Sequence, residues 1–213
     1  MNAKMNLASV AALAVAAAVA GDAPAVSAAP APETQTGTVS RPRAEAYVDD
    51  ATGVEFPAEL AGMVKTQVVK NNNPYYGTVV RYASMEGSCA DVYIYSLGQA
   101  PDRETLKTHF QGVLKVIAKL PGSSGPVRSL TFKSEGDAKI GPKGSIEAKK
   151  SVFSFEAAGG ALFDSELLLF AFSDKVVKIR VSRPHEAHAS AEPFEREVAR
   201  LFEATSPKSP SAN

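Results

Sequence analysis

The stretch LFDSELLLFAFSDKVVKIRVS, residues 162–182, decides the fold. From Leu167 to Phe172 both alternating sets of side chains are apolar: Leu168, Phe170 and Phe172 on one side, Leu167, Leu169 and Ala171 on the other. Successive side chains of a strand point to opposite faces, so this pattern predicts a central strand covered on both sides. Ser173-Asp174-Lys175 reads as a tight hairpin turn. In the returning strand Val177, Ile179 and Val181 alternate with Lys178, Arg180 and Ser182, the pattern of a strand with one face in solvent.

Upstream, Ser145–Glu156 and Val127–Ser134 carry further strand signals, and Pro121-Gly122 stops a helix that begins near Asp102. In that helix Leu106, Phe110, Val113, Leu114 and Ile117 fall on one face. Earlier still, Gly77–Tyr82 and Asp91–Tyr95 are rich in Val, Ile and Tyr, and the Gly-containing loop between them predicts an antiparallel hairpin. Met63–Lys70 precedes the turn formers Asn71-Asn72-Asn73-Pro74, and Thr52–Phe56 is a short strand stopped by Pro57. Downstream, Ser190 can cap a final helix to Ala204, buried through Phe194, Val198, Leu201 and Phe202. Runs of strands punctuated by two helices predict an α+β fold: a mostly antiparallel sheet of about six to eight strands with two main helices, in one domain over residues 47–204.

The termini read differently. Lys4 precedes an apolar run from Leu7 to Ala20, interrupted only by Ser9 and shorter than the roughly 20 residues that span a bilayer. Small residues then offer cleavage after Ala20 or Ala28, and the later site is preferred because a polar stretch leads to it. Residues 1–28 are therefore expected to be a secretory signal peptide, leaving an exported chain, periplasmic or extracellular, with no membrane span in its mature form. Residues 29–46 and 205–213, rich in Pro, Thr and Ser and poor in large apolar side chains, predict a flexible spacer and a disordered tail.

Lys plus Arg and Asp plus Glu number 23 each, so the basic excess typical of a nucleic-acid binder is missing. Cys89 is the only cysteine, which excludes an internal disulfide framework and leaves the core to hold the fold.

No motif forces a chemistry, and no cofactor is expected. Gly87-Ser88-Cys89-Ala90 resembles the surroundings of papain-type nucleophiles, but the flanking Cys and aromatic of that signature are missing. A thiolate also needs a base, and His109 is the nearest histidine in sequence. His185-Glu186-Ala187-His188 is one residue short of the zinc-protease spacing H-E-x-x-H, and its plain reading is a solvated loop. Gly122-Ser123-Ser124-Gly125-Pro126 lacks the following helix that a phosphate loop requires. The lysines within 136–150 alternate with acids, as at a solvated hairpin tip. Tyr93 and Tyr95 share one face with Asp91, which suits either sheet packing or an aromatic contact surface.

Gly53-Val54-Glu55-Phe56-Pro57 and the layout of strands, helix, antiparallel strands and C-terminal helix resemble PsbP/Mog1-like domains. The stretch Gly77 to Gly98, with Val92-Tyr93-Ile94-Tyr95-Ser96-Leu97-Gly98, is similar to a segment of exported bacterial proteins of unassigned function. The resemblance spans about residues 47–204, lacks the Trp that often follows the opening Pro, and carries over no functional residue. It implies a non-catalytic binding or assembly role, with a protein partner or a small ligand. The alternative is a hydrolase or thiol enzyme built on Cys89 or on His185 and His188.

Overall fold

A computed structural model describes residues 38–40, 45–122, 125–142, 144–187 and 190–205. Residues 1–28 and nearly all of the 205–213 tail lie outside them. Eleven strands and two main helices are present among the described residues: β1 (Thr38–Ser40), β2 (Tyr47–Val48), β3 (Glu55–Phe56), β4 (Glu59–Leu60), β5 (Met63–Lys70), β6 (Thr78–Ala83), β7 (Cys89–Ser96), α1 (Arg103–Ala118), β8 (Val127–Ile140), β9 (Ile146–Ala157), β10 (Leu162–Phe172), β11 (Lys175–Pro184) and α2 (Glu192–Thr205). The fold is α+β. One sheet runs in the order β1-β5-β6-β7-β11-β10-β9-β8, with β4 added at β5, and β2 pairs with β3 apart from it. Every strand pair is antiparallel. Thr38–Ser40, inside the stretch read as a spacer, forms the edge strand on β5.

The expected centre is where the periodicity puts it. β10 is paired on both sides, by β9 and β11. Leu168 and Phe170 face α2, packed with Phe194, Val198 and Phe202. Leu167 and Leu169 face α1, packed with Leu106, Phe110, Val113 and Ile117. Burying both apolar sets removes hydrocarbon surface from water on each face of the sheet, so β10 anchors both layers. Asp102 caps α1 by accepting a hydrogen bond from the Thr105 amide.

Two expectations are corrected. β8 runs on to Ile140, so much of the supposed hairpin tip is paired strand, with Asp137 opposite Lys149 and Lys139 opposite Glu147. Alternating charge along one strand, met by opposite charge on the next, stabilises a ladder as well as it solvates a loop. More consequential, β11 has no solvated face. Lys178 is 5% exposed, Arg180 7% and Ser182 6%. Alternation placed these three correctly on the face opposite Ile179, but that face is also inside.

Candidate functional site

The polar side chains of β11 open onto the α1 face of the sheet, where β7 and β6 supply their neighbours. The register sets Lys178 opposite Tyr93, Arg180 opposite Asp91 and Ser182 opposite Cys89, and on the far side of β7 it sets Asp91 opposite Arg81. Arg81, Asp91, Tyr93, Lys178 and Arg180 thus form a charged belt across three strands, beside the apolar cluster under α1. Cysteine and tyrosine of β7 share the belt because Cys89, Asp91, Tyr93 and Tyr95 are alternate residues.

Asp91 is the hub. Arg81 Nε donates to its Oδ1 at 3.0 Å and Tyr93 Oη to its Oδ2 at 3.1 Å, while Arg81 Nη1 reaches Gln67 Oε1 at 3.0 Å. Burial pushes the Asp91 carboxyl upward, and Arg81 opposes that shift. The Lys178 ammonium lies 3.9 Å from the centre of the Tyr93 ring. Desolvation, aided by the nearby Arg180 charge, pulls it down to about 8. The Arg180 guanidinium sits 5.6 Å from both the Phe153 and Phe155 rings, and its Nε reaches Ser165 Oγ at 3.4 Å. Three cations therefore surround one carboxylate.

At the α1 end of the belt Tyr95 Oη and His109 Nε2 share a hydrogen bond of 2.7 Å. Burial, and then the Lys178 charge, lower the imidazole pKa from 6.5 to about 4. The folded state takes up that proton less readily than the unfolded chain. The His109 contribution is thus fully present above pH 6.5 and is lost as pH falls through 4. His109→Phe should flatten this part of the stability profile: between pH 7 and pH 4.5 the variant's melting temperature falls by less than that of the parent.

The sequence-derived candidates fall in different places. Cys89 lies on the α1 face, where burial and then Asp91 push its thiol up to about 11, the reverse of what a nucleophile needs. The strand from Cys89 to Tyr95, beside which His109 sits, spans roughly 20 Å. His185 stands on the opposite sheet face, its Nδ1 2.9 Å from Asp164 Oδ2. Ser154 Oγ donates to the other oxygen of Asp164 at 2.7 Å. The carboxylate thus stands between serine and imidazole, whereas a serine nucleophile needs the imidazole in the middle. His188 lies outside the described residues. Among those described, no three His, Cys, Asp or Glu side chains gather as metal ligands. Gly122 and Gly125 join α1 to β8, and Ser123 and Ser124 lie outside the described residues.

A second charged group sits on the α2 face. Lys150 bridges Glu166 Oε2 at 2.6 Å and Glu195 Oε2 at 2.9 Å, and Arg183 reaches Glu166 Oε1 at 2.8 Å. Two cations meet two carboxylates and tie α2 to the sheet. The belt on the α1 face has no such balance, and it is the residues of β6 and β11 there that the sequence reading missed. The available signal was the pair Lys178 and Arg180 on one side of a Val/Ile strand, facing Asp91 and Tyr93 in the hairpin.

No protein-family model matches the chain, and no curated protein matches it significantly. Among the described residues no helix is long and apolar enough to cross a membrane.

Proposed function

We propose that this chain is an exported, non-catalytic binding or assembly domain, and that its ligand is recognised at the belt formed by Arg81, Asp91, Tyr93, Lys178 and Arg180. The observation that carries the reading is one buried carboxylate, Asp91, met by two buried cations, Lys178 and Arg180, and the half-buried Arg81, beside the apolar cluster under α1. Well-packed hydrophobic residues at such positions are often more stabilising than charges. Groups that weaken a fold and persist in it are characteristic of sites selected for function. The resemblance to PsbP/Mog1-like domains implies the same role, and the signal-like residues 1–28 support export to the periplasm or beyond.

The test combines localisation with recovery of the ligand. Fractionation should find the chain outside the cytoplasm, shortened to a start at Ala29. Native mass spectrometry of the protein isolated from that fraction should show a bound molecule or partner, retained in Cys89→Ser and depleted in a Lys178→Met/Arg180→Met double variant. Saturable turnover of ester, amide or thioester substrates that disappears in Cys89→Ser would overturn the reading in favour of a thiol enzyme.

A further inference from the structure

The belt's positive excess is concentrated on one side chain. Arg180 is only 7% exposed, yet among the described residues it makes no ion pair within 4.0 Å. Among the described residues its only side-chain hydrogen bond is the contact from Nε to Ser165 Oγ at 3.4 Å, beyond the usual range for a good N–H···O bond. Asp91, the carboxylate across the register, is already engaged by Arg81 and Tyr93. Ser165 Oγ also lies 3.0 Å from Ser182 Oγ, so the serine is shared. The flanking Phe153 and Phe155 rings attract a guanidinium, but they accept none of its in-plane N–H groups.

A guanidinium has five N–H donors in a planar fork, shaped for the two oxygens of a carboxylate or phosphate. Removing it from water costs several kcal/mol unless an anion and further acceptors compensate. Here the guanidinium is flanked by two aromatic rings and a serine, beside Arg81 and Lys178, and it feels the Asp91 charge without pairing with it. Among the described residues Glu195 Oε1 is the only fully buried side-chain N or O atom without a partner, so the open N–H groups of the Arg180 fork keep an edge toward solvent.

Building on the binding-domain reading, we infer that Arg180 anchors a subsite for the oxyanion group of a small ligand, held bidentately by the guanidinium with Ser165 and Ser182 as neighbouring hydroxyls. The shared chemistry is a planar or tetrahedral oxyanion, from either a carboxylic acid or a phosphate. Lys178, close enough for its charge to feel that of Arg180, adds long-range attraction. No bond is made or broken in this step. The ligand exchanges its own hydration for the fork.

The experiment uses the full chain and three probes at matched ionic strength: sodium phosphate, sodium succinate and sodium chloride. Melting temperature and the Arg Nε–Hε resonances are followed together. Phosphate or succinate should raise the melting temperature saturably by about 4 °C, and chloride should not. The Arg180 resonance should shift with the same midpoint. Whichever anion acts at lower concentration identifies the source. Arg180→Met should melt at or above the parent without added anion, because an uncompensated buried charge has been removed, and its anion response should weaken at least about tenfold. Arg180→Lys, which keeps the charge without the fork, should respond more weakly than the parent. Three results overturn the inference: no saturable response of the parent to either oxyanion, an undiminished response in Arg180→Met, or an Arg180 resonance unmoved at saturation. Should Arg180→Met fail to fold, the resonance of the parent decides. Failure here leaves the exported complex sought above intact, so the two readings fall separately.

Discussion

Phe170→Ala should destabilise the fold by about 3–5 kcal/mol, the range for a buried aromatic truncated in a core that cannot collapse around the gap. Phe170 is 0% exposed in the central strand, with its ring edge-on to Phe202 of α2 at 5.4 Å. Phe202 also meets Phe56 and Phe172, so deleting Phe170 opens a gap beside the hub of a group of rings. A domain is stable by only about 5–15 kcal/mol, and the variant should therefore accumulate poorly in the exported fraction. The measurement is denaturant midpoint at unchanged slope. Glu104→Ala on the solvent side of α1 serves as the control, expected within about half a kcal/mol of the parent. Equal shifts for the two would mean that β10 is not the centre of the sheet.

Gly77→Ala should be comparably damaging for a different reason. Gly77 precedes β6 with φ at +53°, and a Cβ there would lie 1.8 Å from the Ile94 carbonyl oxygen of β7. No rotamer change relieves a clash with backbone. The β6–β7 ladder must part locally, and the left-handed conformation adds a penalty of its own. A loss of at least about 3 kcal/mol is expected, accompanied by faster amide exchange around Thr78 and Ile94, which are register partners. Gly136→Ala, where nothing lies within 4 Å of the added carbon, is the matched comparison and should change stability little. A Gly77→Ala protein with the parent's midpoint would show that β6 approaches β7 less closely than the geometry states.

The charged belt bears on how these variants are read. Phe170 and Gly77 support the sheet without touching Lys178 or Arg180 in the register, so their effects should appear in stability before they appear in binding. Arg180→Met should show the reverse order.

Sequence alone determined both main helices, most of the long strands and the identity of the central strand; the short strands β1, β2 and β4 and the far half of β8 were not legible in it. Helix α1, with Asp102 as cap, and the hairpins β6–β7 and β10–β11 follow from local spacing, because periodicity and turn chemistry are properties of neighbouring residues. The double apolar set of residues 167–172 likewise required cover on both faces; α1 and α2 supply it from Leu167 to Phe170, while Ala171 at the strand end is exposed. What only the tertiary structure decided is the fate of the polar set on β11. Alternation states which residues share a face, and it placed Lys178, Arg180 and Ser182 together opposite Ile179. It is silent on what lies over that face. A lysine and an arginine in alternating positions look the same in sequence whether they meet water or an aromatic wall. Here Phe153 and Phe155 come from β9 and Asp91 and Tyr93 from β7, strands whose side chains meet those of β11 only when the sheet is assembled. The candidate site is accordingly a product of strand order: β11 leaves β10 by a short turn and inserts beside β7, and that long-range pairing turns an ordinary solvated pattern into a buried cluster of charge.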